Sequence, residues 1–547
     1  MAAKQQDQQW NAEVDVIVVG FGGAGACAAL EAAQQGASVL VLDRFHGGGA
    51  TAVSGGVTYA GGGTSYQTAA GCEDTVDEMY NYLKQEIGDG VMTNETLRRF
   101  CEESTEDIRW LEEAGVPFEG SLCPFKTSYP TDAYYLYYSG SENSAHYKDK
   151  AKPAPRGHRA KGKGLSGLGM FHPLEKTIRK SKNVQVHCQT QVLKLIQAED
   201  GRVIGVEGRS IPLSSIFLRR FHAGITRINA KLNTYFPPLA SLLNKLAIGI
   251  MKVRSRPYRA RARKGVILTA GGFIFNSKMV NECNSIFRRC MPIGTYADDG
   301  SGIALGESVG GVTSHMDKMS AWCFYVPPEA LMQGVLVNKK GERICSEDLY
   351  GGKQGDYIVS KCGGNAYLVF DSKTYKETKS HFRDQCAFFQ KLTMIPMVLI
   401  SRKKASAFSK LAQKLKISPE GLEATMKQYN EIAAKGEPDP LGKIQKRFVP
   451  QDTPPFYALD CSLHGFSNFL TKFGIPTAAI TLGGLVVNEQ TGQVKRADGS
   501  SIEGLYAAGR NAIGLCSNVY FASGTSIADC VFAGRRAGRH AAKQQAK

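Results

Sequence analysis

Residues 14–43 commit this chain to a parallel, helix-covered sheet. Val14-Asp15-Val16-Ile17-Val18-Val19 is an apolar, β-branched run of the kind a buried parallel strand requires. It runs straight into Gly20-Phe21-Gly22-Gly23-Ala24-Gly25, a GxGxxG turn with Gly20, Gly22 and Gly25 at its three positions. An Ala-rich helix follows to about Gln35, then a second strand over 38–42 that ends at Asp43. Gly20 permits the tight turn, Gly22 lets backbone approach a pyrophosphate, and Gly25 lets helix and strand pack closely. The helix N-terminus, with Gly23 and Ala24, presents free N–H groups to phosphates. Asp43, eighteen residues beyond Gly25, accepts hydrogen bonds from a ribose, with Arg44 beside it. GxGxxG alone is weak evidence, but strand, turn, helix, strand and acid in this order predict a dinucleotide site.

Two further stretches favour FAD over a nicotinamide cofactor. Gly47-Gly48-Gly49-Ala50-Thr51-Ala52-Val53-Ser54-Gly55-Gly56 follows Asp43 and lets backbone run along an extended cofactor. Near the C-terminus, Gly504-Leu505-Tyr506-Ala507-Ala508-Gly509-Arg510 reads as a strand ending in glycine. After it, Ser523-Gly524-Thr525-Ser526-Ile527 opens an Ala-rich helix to about Ala542. A helix N-terminus there suits negative charge on the flavin N1/C2=O edge. The predicted cofactor set therefore adds Gly49, Ala50, Thr51, Ser54, Gly55, Gly56, Gly509, Arg510, Ser526 and Ile527 to the turn residues. His46 sits too near the pyrophosphate strip to reach the ring, so FAD is expected to be non-covalent. No residue cluster has metal-ligand spacing.

Charge bears on where the chain works. The formal net charge is +17, and residues 210–264 hold twelve Lys/Arg with no Asp or Glu. At 100° per residue, Phe217, Leu218, Phe221, Ile225, Ile228 and Leu232 share one arc, and Arg219, Arg220, Arg227 and Lys231 the opposite one. Residues 239–252 repeat the pattern, with Pro237 and Pro238 between the segments. Basic charge mixed with large apolar residues predicts an anionic membrane surface rather than nucleic acid, at roughly 1 kcal/mol per basic residue. The alternative is an ordinary hairpin packed on the protein. Removing 210–264 is expected to leave FAD bound. No run reaches the roughly 20 apolar residues that span a bilayer. The polar N-terminus, residues 1–13, has no signal-peptide pattern. Fourteen cysteines without a CxxC pair read as reduced thiols. The expectation is a cytoplasmic protein peripheral to the inner face of the cell membrane.

The motifs at 20–25 and 504–510, together with Lys264-Gly265-Val266-Ile267-Leu268-Thr269-Ala270-Gly271-Gly272-Phe273 and Val337-Asn338-Lys339-Lys340-Gly341-Glu342-Arg343, resemble the fumarate reductase/succinate dehydrogenase flavoprotein family. That resemblance implies an α/β fold: a Rossmann-like FAD-binding domain split by an α+β catalytic cap. Carried by residues 264–273, it implies Ala270 and Gly271 as cofactor residues as well. The expected boundaries are 1–282 for the first FAD part (with the insertion at 210–264), 283–447 for the cap and 448–547 for the second FAD part. Dicarboxylate-handling members place an Arg shortly after the Gly-Glu-Arg turn and His residues before a Gly-Gly pair. Here Tyr350 stands about where that Arg is expected, and Ala478-Ala479-Ile480-Thr481-Leu482-Gly483-Gly484 has no His. Burying a dicarboxylate without partners would be costly, so an uncharged substrate fits better. Glu347-Asp348-Leu349-Tyr350-Gly351, Thr481-Leu482-Gly483-Gly484-Leu485 and Pro155-Arg156-Gly157-His158-Arg159 resemble the 3-ketosteroid dehydrogenases, in their 3-oxo-5α-steroid 4-dehydrogenase branch. The resemblance implies a steroid substrate, with Tyr350 and Tyr520 for the proton work, Ser523 assisting and a backbone N–H at Gly524 for the ketone oxygen. A quinone is the candidate electron acceptor. A 3-ketosteroid 1-dehydrogenase and an ene reductase acting on an apolar enone remain alternatives.

Overall fold

A computed structural model describes residues 10–322, 325–463 and 477–546, apart from the side chains of 234 and 235. The predicted fingerprint forms as strand β1 (Ala12–Val19), helix α1 (Gly23–Gln34) and strand β2 (Val39–Asp43). β1 and β2 run parallel, with Val16 opposite Val39 and Val19 opposite Leu42. On its other side β1 pairs in parallel with the long strand Arg256–Leu268, which in turn pairs in parallel with Ser501–Ala507. Val184–Cys188 closes the far edge beside β2. Both faces of β1 are covered, so Val16, Ile17 and Val18 are fully buried. That double burial is why the run is unbroken by polar alternation.

The cap is built on a four-stranded sheet in the order Val335–Val337, Tyr367–Phe370, Phe456–Asp460, Lys403–Ala405, every pair antiparallel. Helices Phe408–Leu415 and Pro419–Lys435 pack on it through Leu411, Leu415, Leu422 and Tyr429. Two stretches lie otherwise than the expected boundaries. Phe456–Asp460, beyond residue 447, completes the cap sheet. Asp298 and Ser301, inside the expected cap, line the groove of the other domain.

The insertion is a helical hairpin, Ile216–Tyr235 followed by Pro237–Arg254. Pro237 and Pro238 start the second helix instead of merely parting the two, because the first turn needs no N–H from them. The acid-free stretch is not all helix. Arg256, Arg259, Arg261, Arg263 and Lys264 lie on the long strand. Three of these are paired: Arg259 with Glu207 at 3.6 Å, Arg261 with Glu13 at 3.9 Å and Arg263 with Asp15 at 3.1 Å.

The amphipathic arcs also differ from expectation. Ile225 is buried, but Phe217, Phe221 and Ile228 from the same predicted apolar arc are exposed, Phe217 by 88 %. The first helix instead buries a polar stripe of His222, Thr226, Asn229 and Asn233. No helix among the described residues is long and apolar enough to cross a membrane.

Candidate active site

The groove at the C-terminal ends of β1 and β2 is where an open α/β sheet receives a dinucleotide. Gly20 has φ +105°, and a Cβ there would lie 2.5 Å from the Thr269 carbonyl oxygen. A Cβ on Gly25 would lie 2.0 Å from the Gly20 carbonyl oxygen, so this glycine packs α1 on β1. Around Gly22 the nearest atoms to such a Cβ are 3.9 Å away, which leaves its backbone open to the groove. The Gly23 N–H donates to Thr51 Oγ1 (3.1 Å), and the Gly48 N–H donates to the Phe21 carbonyl (2.7 Å), fastening the glycine strip to the turn. Asp43 accepts from the N–H groups of Phe21 (2.9 Å) and Phe45 (2.7 Å), which fixes its carboxylate at the strand end. Arg44 pairs with Asp299 at 2.6 Å.

Gly20, Gly22, Gly23, Ala24, Asp43, Arg44, Gly49, Ala50, Thr51, Ala270, Gly271 and Arg510 all line this one groove. It takes in about 820 Å³ of space between the lining residues, part of it open to solvent. Gly25, Ser54, Gly55, Gly56, Gly509, Ser526 and Ile527 are not part of its lining. Ser54 donates to the Thr51 carbonyl (2.8 Å), and the Gly55 carbonyl accepts from Tyr129 and Ser166, each at 3.0 Å. Gly56 has φ +62° and lies against the Ser166 carbonyl. These three aim the strand Val57–Tyr59. Gly509 lies against Ala24, where a Cβ would come within 2.8 Å.

Sequence reading missed Thr190, Gln191, Val192, Thr295 and Asp298, which complete the groove. Asp298 accepts from Arg510 (2.8 Å) and from the N–H groups of Gly272 (3.2 Å) and Thr295 (3.0 Å). The signal was Asp298-Asp299-Gly300-Ser301, a turn that opens the helix Ser301–Glu307.

The second half of the site gathers at the N-terminus of the helix Thr525–Lys543. Thr525 lies five residues, about 7.5 Å of helix rise, from Cys530, which lines the groove. Tyr350 and Tyr520 have ring centroids 6.3 Å apart. Tyr520 sets its ring against Trp322 at 4.9 Å, nearly perpendicular. Ser523 interacts with the phenols of both Tyr350 and Tyr137. Its backbone N–H donates to the Ser139 carbonyl at 2.9 Å. Gly524, at φ +95°, caps the helix, and its N–H has no partner among the described residues. Tyr137 belongs to none of the motifs that single out the other members of the cluster.

Burial raises the pKa of all three phenols. Against it, the Thr525 hydroxyl and the Ser526 N–H draw the Tyr520 pKa down, and Ser523 draws down that of Tyr350. The buried Ser139 hydroxyl has no hydrogen-bond partner among the described residues, and the Tyr59 and Tyr137 phenols have only Arg156 and Ser523 beside them. Buried polar atoms of this kind are rare and fit a site completed by a bound cofactor and a polar substrate atom.

Nearby charges are already matched. Burial would raise the Glu347 pKa, but Arg343 and Lys443, at 2.7 and 2.9 Å, hold it down at about 2. Lys126, its pKa lowered by burial, donates to the Tyr138 carbonyl (2.9 Å) and lies 3.9 Å from Glu142.

Residues 15–527 match the family described as FAD binding domain. The chain is 36% identical over 516 residues to a 3-oxo-5-alpha-steroid 4-dehydrogenase of Comamonas testosteroni, covering 92% of this chain and 93% of that one. It is similar, with TM-score 0.81 and 31% identity over 99% of both chains, to the crystal structure of 3-ketosteroid-delta4-(5alpha)-dehydrogenase from Rhodococcus jostii RHA1 in complex with 4-androstene-3,17-dione. The 3-ketosteroid delta1-dehydrogenase of Sterolibacterium denitrificans shares the fold, with TM-score 0.65 and 18% identity over 97% of this chain and 100% of that one.

Proposed function

This chain belongs to the FAD binding domain family of flavoproteins, alongside the 3-oxo-5-alpha-steroid 4-dehydrogenases, and from that premise we propose that it introduces the 4,5 double bond into ring A of a saturated 3-ketosteroid. FAD is its cofactor. The observation that carries the reading is the cluster of Tyr137, Tyr350, Tyr520 and Ser523, set beside the dinucleotide groove with the neighbouring charges already paired. Such a chamber favours a rigid, uncharged substrate with one polar oxygen.

Dehydrogenation beside a ketone removes two hydrogens. The C3 carbonyl acidifies C4, so one leaves C4 as a proton and the other leaves C5 as a hydride. Bound FAD supplies the hydride acceptor. The chain itself must take the proton and hold the enolate oxygen. Tyr520 is the candidate base: burial raises its pKa above that of an ordinary phenol, and the Thr525 hydroxyl and the Ser526 N–H at the helix N-terminus oppose that rise. Ser523, between two phenols, assists the transfer. Tyr350 stays protonated in its buried place and donates to the oxygen, together with the Gly524 N–H. The test is turnover of 5α-androstane-3,17-dione with an oxidised dye, followed by product identification. The 4-ene is expected. A 1-ene product, or no turnover of any saturated 3-ketosteroid, would contradict the proposal.

We further propose that the insertion seats the enzyme on the cytoplasmic face of a membrane, where a sterol partitions and a quinone can accept the electrons. Support comes from exposed Phe217, Phe221, Leu242 and Val253, which share the hairpin with exposed Arg220, Arg227, Lys245 and Lys252. Replacing Phe217, Phe221 and Leu242 by serine should release the protein from pelleted anionic liposomes, and raised salt should weaken the native protein's binding. Equal pelleting of variant and native protein would remove the insertion from this role.

A further inference from the structure

The first insertion helix turns its polar stripe toward the protein, and beneath that stripe lies a side chamber of the dinucleotide groove. His222, Thr226, Asn229 and Asn233 are each more than nine-tenths buried. Burying amides on the inner face of a helix is unfavourable unless something hydrogen-bonds them. His222 stacks on Phe45, with ring centroids 6.3 Å apart. Asn233 Nδ2 donates to the Gly294 carbonyl at 3.4 Å. The Thr226 hydroxyl donates into its own helix, at 3.1 Å from the His222 carbonyl, so it accepts from the Nδ1–H of His46 at 3.0 Å. Burial lowers the His46 pKa to about 4, so the ring is neutral. Two members of the stripe, His222 and Asn229, have buried polar atoms with no side-chain hydrogen-bond partner among the described residues, and of the two it is Asn229 that lines the recess beneath. It is 5 % exposed, and its Oδ1 has no partner among the described residues.

Asn229 faces a recess that it shares with Asp43, Gly49, Thr295 and Ala297. Those four residues also line the main groove. Asp43 marks the ribose end of the groove. A ribose presents two neighbouring hydroxyls, and Asp43 already spends one lone pair on each of two backbone N–H groups.

We propose that Asn229 holds the adenosine ribose of FAD together with Asp43, so that the insertion is a wall of the cofactor site as well as a surface hairpin. This rests on the FAD-dependent reading above. It also reverses the expectation that removing 210–264 leaves FAD bound: without the hairpin, the ribose end of the groove stands open.

The test is Asn229→Leu in the full-length chain, with flavin binding followed by fluorescence after removal and readdition of cofactor. FAD affinity should fall about tenfold. FMN, which lacks the adenosine, should bind variant and native protein equally. The flavin-free variant should melt no lower than the native chain, since leucine replaces an unpartnered amide with an apolar group of similar size. Asn229→Gln, which keeps an uncharged acceptor oxygen, should lose less FAD affinity than Asn229→Leu. Native-like FAD affinity in Asn229→Leu, or equal losses for FAD and FMN, would overturn the proposal. Should the Leu variant fail to fold, Asn229→Ala takes its place, and native-like FAD affinity there would overturn the proposal equally. Native protein purified without any flavin would instead overturn the FAD reading, so the two failures are distinguishable.

Discussion

Tyr520→Phe should slow reduction of the flavin by a saturated 3-ketosteroid by about 10²–10⁴-fold while FAD stays bound. General acid–base groups contribute about that much, or roughly 2.7–5.4 kcal/mol of barrier. The substitution removes one oxygen and keeps the ring against Trp322, so packing should hold. Its pH dependence has a definite sign. Burial keeps the Tyr520 pKa above that of an ordinary phenol, and the working form is the phenolate. The native rate should therefore climb with pH into the alkaline range, and the Phe variant should lose that climb. Tyr350→Phe removes a donor to the enolate oxygen, and its expected cost is about 10²–10³-fold. The two losses should not simply add, because the two rings lie 6.3 Å apart in one cluster. Rapid-mixing measurement of flavin bleaching separates these effects from product release. A Tyr520→Phe rate within threefold of native would remove this residue from the proton step.

The second large effect concerns the cofactor turn and splits two glycines that look alike in sequence. Gly22→Ala should yield a folded, colourless protein. A methyl there meets nothing in the protein within 3.9 Å but occupies the space a pyrophosphate needs. Gly25→Ala should fail earlier, in folding. Its methyl would sit 2.0 Å from the Gly20 carbonyl, and neither backbone can yield without separating α1 from β1. Overpacking of this sort costs about 1–3 kcal/mol or more, and here the obstacle is backbone. Thermal melting and the flavin spectrum of both variants decide the matter. Flavin retained at native stoichiometry in Gly22→Ala would contradict the assigned role of that glycine.

Local physics made the first half of this site legible. β1, α1 and β2 follow from a β-branched run, a fixed glycine spacing and an acid at a strand end, all within thirty residues. Thr190, Val192 and Asp298 were not legible in that way. They reach the groove through strand pairing and a helix cap far along the chain, and nothing about a lone threonine or valine announces it. Tyr137 is similar. It becomes part of the phenol cluster because Leu136–Tyr137 pairs with Gly157–Arg159, which pairs with Val57–Tyr59 beside Gly524.

The insertion shows a different limit. Helical periodicity set an apolar arc against Arg219, Arg220, Arg227 and Lys231, but the protein covers neither of them; it covers a third stripe that lies between the two. Burying Thr226, Asn229 and Asn233 while Phe217 and Phe221 stay outside runs against the usual preference. Both faces therefore call for partners, a cofactor within and an apolar surface without. The arginines of the long strand were likewise counted with the hairpin, because an absence of acids in sequence does not exclude acids across a sheet.

Anaerobic mixing of the purified yellow protein with 5α-androstane-3,17-dione, in the absence of any other acceptor, is the most direct measurement. The account predicts that the oxidised flavin bleaches in one turnover and that a stoichiometric 4-ene-3-ketone appears. An unchanged flavin spectrum with this and every other saturated 3-ketosteroid offered would contradict it.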